Sequence, residues 1–291
     1  MTPSHQDGVP APTVLRIRLG AQLRRLRQQR NLTREAAGWE IRSSESKISR
    51  MELGRVPFKE RDVADLLTLY GVGEHERVAM LSLARQANAP GWWQQYGDVV
   101  PPWFGNYLGL EQAAALIRTY DLQFVPDLLQ TAGYARAVLR LTHTGESEAE
   151  IGRRVELCQG RQQVLRSPDP PLFWAVLDEA VLHRQIGGPE VMRAQLEALI
   201  DAAERPNIRL QIVSFRAGRY AAAGFPFAIL RFAEPELPDL VYVEQLTSAL
   251  YLDKPGDVEH YAVTIERACL DAGPFDHTTT VLREVLNEIT A

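Results

Sequence analysis

Thr33 and Ser44 each stand directly before a short run with helical spacing, and Gly54 stands just after the second run. Both hydroxyl residues suit the N-cap position, where a side-chain oxygen accepts from a free backbone N–H. Glycine suits the left-handed turn that ends a helix. Ala36 and Ala37 are small enough for another helix to cross closely. Two capped short helices with a tight connection define a helix-turn-helix unit, the alternative being an ordinary three-helix core element with solvated arginines.

The flanking sequence extends this unit into an all-helical region. Leu15, Leu19, Leu23 and Leu26 recur at helical spacing with arginines on the other faces, and further helices are expected over Glu60–Tyr70 and Glu74–Asn88. Residues 1–12, with three prolines, read as a disordered leader, residues 13–72 as the helix-turn-helix domain, and 73–90 as a connecting helix. Charge separates this region from the rest. Thr13–Val72 holds 13 Lys+Arg against 7 Asp+Glu, whereas the whole chain is at −5. A basic region carried on an acidic body is the electrostatic pattern of a polyanion-binding segment attached to a domain that avoids phosphate.

Within the second short helix, Ile48 and Met51 share the inward face, which turns Glu45, Ser46, Lys47, Ser49 and Arg50 outward near the helix N-terminus. Such helices enter the major groove by that end. Lys and Arg engage guanine O6/N7 or phosphate, and Ser pairs with either. Glu45 repels phosphate but accepts from cytosine N4. Together with the caps Thr33 and Ser44, and with Arg34 and Arg55, these residues form the expected contact set for double-stranded DNA. One such motif buries little surface, so a homodimer reading a palindrome is expected.

After Ala89 the texture changes to Pro, Gly and aromatics: Trp92, Trp93, Tyr96, Trp103, Phe104 and Tyr107. This marks a boundary to a domain over residues 91–291. Helices are expected near Asn106–Thr119, Thr131–Leu141, Ser147–Arg166, Pro189–Glu204, Gly256–Asp271 and Asp276–Thr290. Strands are expected over Phe173–Leu177, Arg209–Ser214, Phe227–Phe232 and Val241–Leu246. The fold class is therefore an all-α five-helix N-terminal domain followed by an α+β domain with a small, largely antiparallel sheet. Trp92, Trp93, Tyr96, Trp103, Glu111, Glu179, Tyr242 and Glu244 are its candidate ligand or partner surface.

Cys158 and Cys269 fall on apolar helical stripes and read as core residues, too few for a disulfide framework. The six histidines lack metal-ligand spacing, and no phosphate loop or nucleophile elbow is present, so no metal, cofactor or catalytic activity is expected. No segment has the apolar length of a membrane span, so no membrane association and a cytoplasmic, nucleoid-associated location are expected.

The run Ser44, Ser46, Ile48, Ser49, Arg50, Glu52, Gly54 resembles the XRE or lambda-repressor-like helix-turn-helix family. That resemblance implies that Arg27 and Glu52 pair as an internal brace. It departs at Arg34, where the family often has Gln. Tyr107–Ala113, Phe124–Arg136, Leu177–Ala180 and Val241–Glu244 resemble the C-terminal domain of WhiJ-like regulators of actinobacteria, with Asp127 where a Gly is usual. Membership of that family implies a transcription factor, often encoded beside a small BldB-like protein partner, and the expected function is a DNA-binding regulator controlled through its C-terminal domain by a small protein partner or a ligand. It also implies, alternatively, the antitoxin-like half of a two-gene pair. A DNA-tethered enzyme, or a module whose acidic domain holds a basic partner, are the competing classes.

Overall fold

The leucine stripe opening at Leu15 folds as α1 (Pro12–Gln29) and buries Leu15, Leu19 and Leu23. The computed structural model describes residues 12–217, 224–233 and 237–290. The expected leader therefore lies outside the described residues except for Pro12, which opens α1. Next come α2 (Arg34–Glu40), α3 (Glu45–Glu52), α4 (Glu60–Leu69) and α5 (Glu74–Ala87). Their shared core joins Leu19, Leu23, Ile48, Met51, Leu66 and Leu67 with Met80, Ala84 and Ala87 of α5. The fifth helix is thus part of the helical core as well as a link to the remainder of the chain.

The chain divides into two units. The first takes Met1–Gln94, Gly105–Ala113 and Glu234–Leu237; the second takes Gln95–Phe104, Ala114–Ala233 and Pro238–Ala291. Helix α6 (Phe104–Ala113) therefore lies almost wholly in the first unit, although it comes after the aromatic boundary in sequence. Its Gly109 is in close contact with α1, where a Cβ would overlap Thr13 Oγ1.

After Gln95–Phe104 the second unit takes up β1 (Ala114–Asp121) and continues through α7 (Ala132–Thr142), α8 (Glu148–Arg161), β2 (Leu172–Asp178), α9 (Ala180–His183), α10 (Pro189–Ala203) and β3 (Ile208–Val213). It closes with β4 (Phe227–Phe232), β5 (Leu240–Glu244), β6 (Ala249–Leu252), α11 (Pro255–Asp271) and α12 (Phe275–Thr290). Among the described residues these strands form one mixed sheet in the order β3-β2-β1-β4-β5-β6. β1 pairs parallel to β2, and β2 to β3; β4, β5 and β6 complete the sheet through antiparallel pairs. Two of these strands were not expected. The helix read over Asn106–Thr119 ends at Ala113, and the chain turns directly into β1, the strand that joins the parallel and antiparallel halves. Ala113-Ala114-Ala115 is compatible with a helix, but Ile117, Thr119 and Tyr120 gain more when paired and packed from both sides. β6 is a short edge strand without clear alternation.

Register places Thr119, Asp121, Ala228, Tyr242 and Glu244 on one face of the sheet, and Tyr120, Val176, Val213 and Ile229 on the other. The latter face packs against Ile265 and Ala268 of α11. β5 runs parallel to β1, so Asp121 and Glu244 both stand at the carboxyl end of this part of the sheet.

Candidate nucleic-acid interface

The helix-turn-helix is built by the caps that the sequence supplies. Thr33 Oγ1 accepts from the Ala36 N–H at 3.1 Å, and Ser44 Oγ accepts from the Lys47 N–H at 3.3 Å. Three glycines allow the close crossings. A Cβ at Gly20 would lie 2.5 Å from the Met51 carbonyl oxygen, and one at Gly38 2.8 Å from that of Ser43. Gly54 takes φ +64 at the end of α3.

A buried ion pair fixes α3 against α1. Arg27 Nε donates to Glu52 Oε1 at 2.5 Å and Nη2 to Oε2 at 3.1 Å, while Nη1 reaches the Leu32 carbonyl at 2.6 Å. Both side chains are under one-tenth exposed. Arg34 Nε joins the same carboxylate at 3.2 Å. Arg34 is thus held as a second arm of the brace, which draws its guanidinium away from a free phosphate-reaching position.

The remaining expected contacts fall into two groups. Ser44, Glu45, Ser46, Arg50 and Arg55 are exposed, whereas Lys47 and Ser49 are half-buried. Lys47 Nζ lies 2.6 Å from Asp62 Oδ2 of α4. Its ammonium ties two helices together inside the domain, a role that its position beside Ser46 conceals in the sequence. One basic residue was not anticipated: Arg42 is exposed in the turn between α2 and α3, at φ 52. Its signal in the sequence was only a positive charge in the connection of the motif.

The candidates of the acidic part do not form one surface. Trp92 and Trp93 belong to the first unit, ring centroids 6.0 Å apart, with Trp93 buried; Glu111, also in that unit, is buried on α6. Glu179 stands just before α9 without capping it; its Oε2 accepts from the Phe215 N–H at 2.7 Å and its Oε1 lies 3.6 Å from His183 Nε2. In the second unit Arg153 sits 5.1 Å above the Tyr96 ring. Trp103, Tyr242 and Glu244 do come together. The Trp103 carbonyl accepts from Tyr251 at 2.5 Å, and both the Trp103 indole and the Tyr242 hydroxyl favour the ionised form of Glu244. Burial, reinforced by the charge of Asp127, outweighs them and Arg161 and holds the Glu244 carboxyl above its ordinary range.

Residues 18–80 match the model of a helix-turn-helix domain, and residues 104–284 match that of a domain of unknown function, DUF5753. The second match spans more than half of the chain. The chain belongs to the DUF5753 family. No curated protein and no solved structure matches it. The DUF5753 segment runs from α6 into α12, so it takes in the whole sheet together with a helix of the first unit. The helix-turn-helix segment covers Arg27, Glu52 and the whole exposed face of α3. Among the described residues no helix is long and apolar enough to cross a membrane, and no group of three or more His, Cys, Asp or Glu is placed to hold a metal ion.

Proposed function

We propose that this chain is a sequence-specific DNA-binding transcription regulator that acts as a homodimer, with α3 as the recognition helix and the second unit as the part that answers to a small protein or ligand. The observation that carries this reading is the outer face of α3. Ser46 and Arg50 are exposed near its start and end, Arg42 is exposed in the turn that precedes it, and the Arg27–Glu52 pair fixes the helix from behind. A rigidly held helix with free donors on one face meets the requirement for reading base edges, whereas a solvated structural helix has no need of a buried brace. The imbalance of 13 Lys+Arg to 7 Asp+Glu over Thr13–Val72 supplies the attraction to phosphate.

The test is selection of bound duplexes from a randomised pool by the full chain, and then mobility shifts with the winning sequence. Arg50→Ala is expected to weaken specific binding by about 1–3 kcal/mol and to relax preference at one position. Arg42→Ala is expected to weaken all sequences alike, as loss of a phosphate contact does. Recovery of no enriched sequence would sink the proposal.

A further inference from the structure

The second unit contains a cleft of about 140 Å³ whose wall includes Glu244 at the carboxyl end of β5. Apolar side chains form much of the remainder: Phe104, Leu139 of α7 and Leu157 of α8. The basic groups that reach the cleft are already engaged. Arg161 Nη1 is 2.5 Å from Asp127 Oδ2, its guanidinium lies 5.0 Å from the Phe104 ring centroid, and it is buried. Arg154 clasps Glu146 with two nitrogens at 2.6 Å each. His143 is held below its ordinary range by burial and by Arg154, which keeps it neutral near pH 7. Glu244 differs from all of these. The residue as a whole reaches solvent although its carboxyl is desolvated and hydrogen-bonded by Tyr242 and Trp103, and among the described residues no basic side chain forms an ion pair with it.

We propose that this cleft is a binding site for one organic cation, a protonated amine or a guanidinium on a short apolar stem, with Glu244 as its counter-ion. An anion would have to break the Arg161–Asp127 or Arg154–Glu146 pair to find a positive partner, whereas a cation finds a carboxylate that has neutral donors but no ion pair among the described residues. Size sets the stem, because a cavity of roughly 150 Å³ holds a body about as large as benzene. The walls of Phe104, Leu139 and Leu157 suit methylene groups in place of a second charge. The rise of the Glu244 carboxyl above its usual range agrees with this, since Arg161, Tyr242 and Trp103 offset the desolvation of its ionised form only in part, and a cation would supply more. Asp127, Arg161, Tyr242 and Trp103 are the groups that face it. The inference deepens the sensing role assigned above to the second unit. It is tested by binding alone, so its failure would leave the DNA-reading proposal untouched.

The experiment is titration calorimetry of the full chain at low salt with three probes: butylguanidinium, butyrate, and the capped tripeptide acetyl-Gly-Arg-Gly-amide. Saturable binding of at least one cationic probe and none of butyrate is expected. Glu244→Gln should weaken the cation by about tenfold or more, and Leu139→Trp, which fills the cleft, should abolish binding with Glu244 intact. Tighter binding of butylguanidinium identifies a free small molecule as the natural occupant, and tighter binding of the tripeptide identifies a basic side chain of a partner protein. Absence of heat with both cations, equal affinity in Glu244→Gln, or preference for butyrate would each overturn the assignment.

Discussion

Glu52 ties three helices of the first unit together, because one buried carboxylate on α3 receives Arg27 from α1 and Arg34 from α2. Removing the acceptor leaves Arg27 inside with only the Leu32 carbonyl, so Glu52→Ala should cost about 3–5 kcal/mol, the usual penalty for an uncompensated buried charge. Arg27→Ala should cost less, since Arg34 still reaches Glu52, and Arg34→Ala, at a pair about one-third exposed on the arginine side, less than about 1 kcal/mol. Thermal melts of the three variants give the order, and a larger loss in Arg34→Ala than in Arg27→Ala would refute this division of labour. Asp121 presents the opposite situation. Its Oδ2 is buried without a hydrogen-bond partner among the described residues, and burial pushes the carboxyl up to about 7. In the unfolded chain the same group ionises near ~3.9. The folded state therefore keeps its proton across that interval while the unfolded state loses it, so this residue lowers stability progressively as pH climbs from about 4 to about 7. Asp121→Asn should remove that slope, gaining on the wild type between about pH 4 and about pH 7. Melting curves that stay parallel across that range would mean the carboxyl is ionised in the fold.

At the scale of elements, glycines separate packing from propensity. Alanine in a helix interior is favoured over glycine by about 1 kcal/mol, so Gly152→Ala on α8, where a Cβ meets nothing within 4 Å, should stabilise the protein by about 0.5–1 kcal/mol. The same change at Gly20 of α1 drives a methyl to 2.5 Å from the Met51 carbonyl and 2.7 Å from that of Glu52. Those are backbone atoms of α3 and cannot swing aside, so overpacking of about 1–3 kcal/mol reverses the sign. Gly20→Ala should lower the melting point and, on the proposed reading, the DNA affinity together, because it displaces α3; a stabilised variant would contradict the close crossing. Legibility in the sequence divides in the same way. The first five helices were legible because caps at Thr33 and Ser44 and the leucine stripe of α1 are local signals. β1 was not, because its stability comes from β2 on one side and β4 on the other, neither of which leaves a mark on Ala114–Asp121 itself. The site divides likewise. The outward position of Ser46 and Arg50 comes from helical period, but the diversion of Lys47 to Asp62 and of Arg34 to Glu52 depends on which helices meet.

For the whole molecule, the small exposed face of α3 bears directly on its working form. Only the start and one side of an eight-residue helix are free to meet bases, enough for a few contacts. Each good base contact discriminates by about 1–3 kcal/mol, and a single module buries only about 600–1,000 Å² on DNA, whereas tight specific sites need more. Two copies related by a dyad double the contacts and read a palindrome, with half-sites about 10–10.5 base pairs apart so that both helices face the same side of the duplex. Light scattering of the full chain, alone or on its selected duplex, should therefore give a mass near twice the 32.7 kDa of one chain. Inserting about five base pairs between the half-sites turns one of them to the far side of the helix and should reduce affinity to that of a single half-site. A further insertion to a full turn should restore part of it. Affinity that ignores the spacing would mean that each copy binds alone, and the specificity would then have to come from Arg50, Arg42 and their neighbours within one chain.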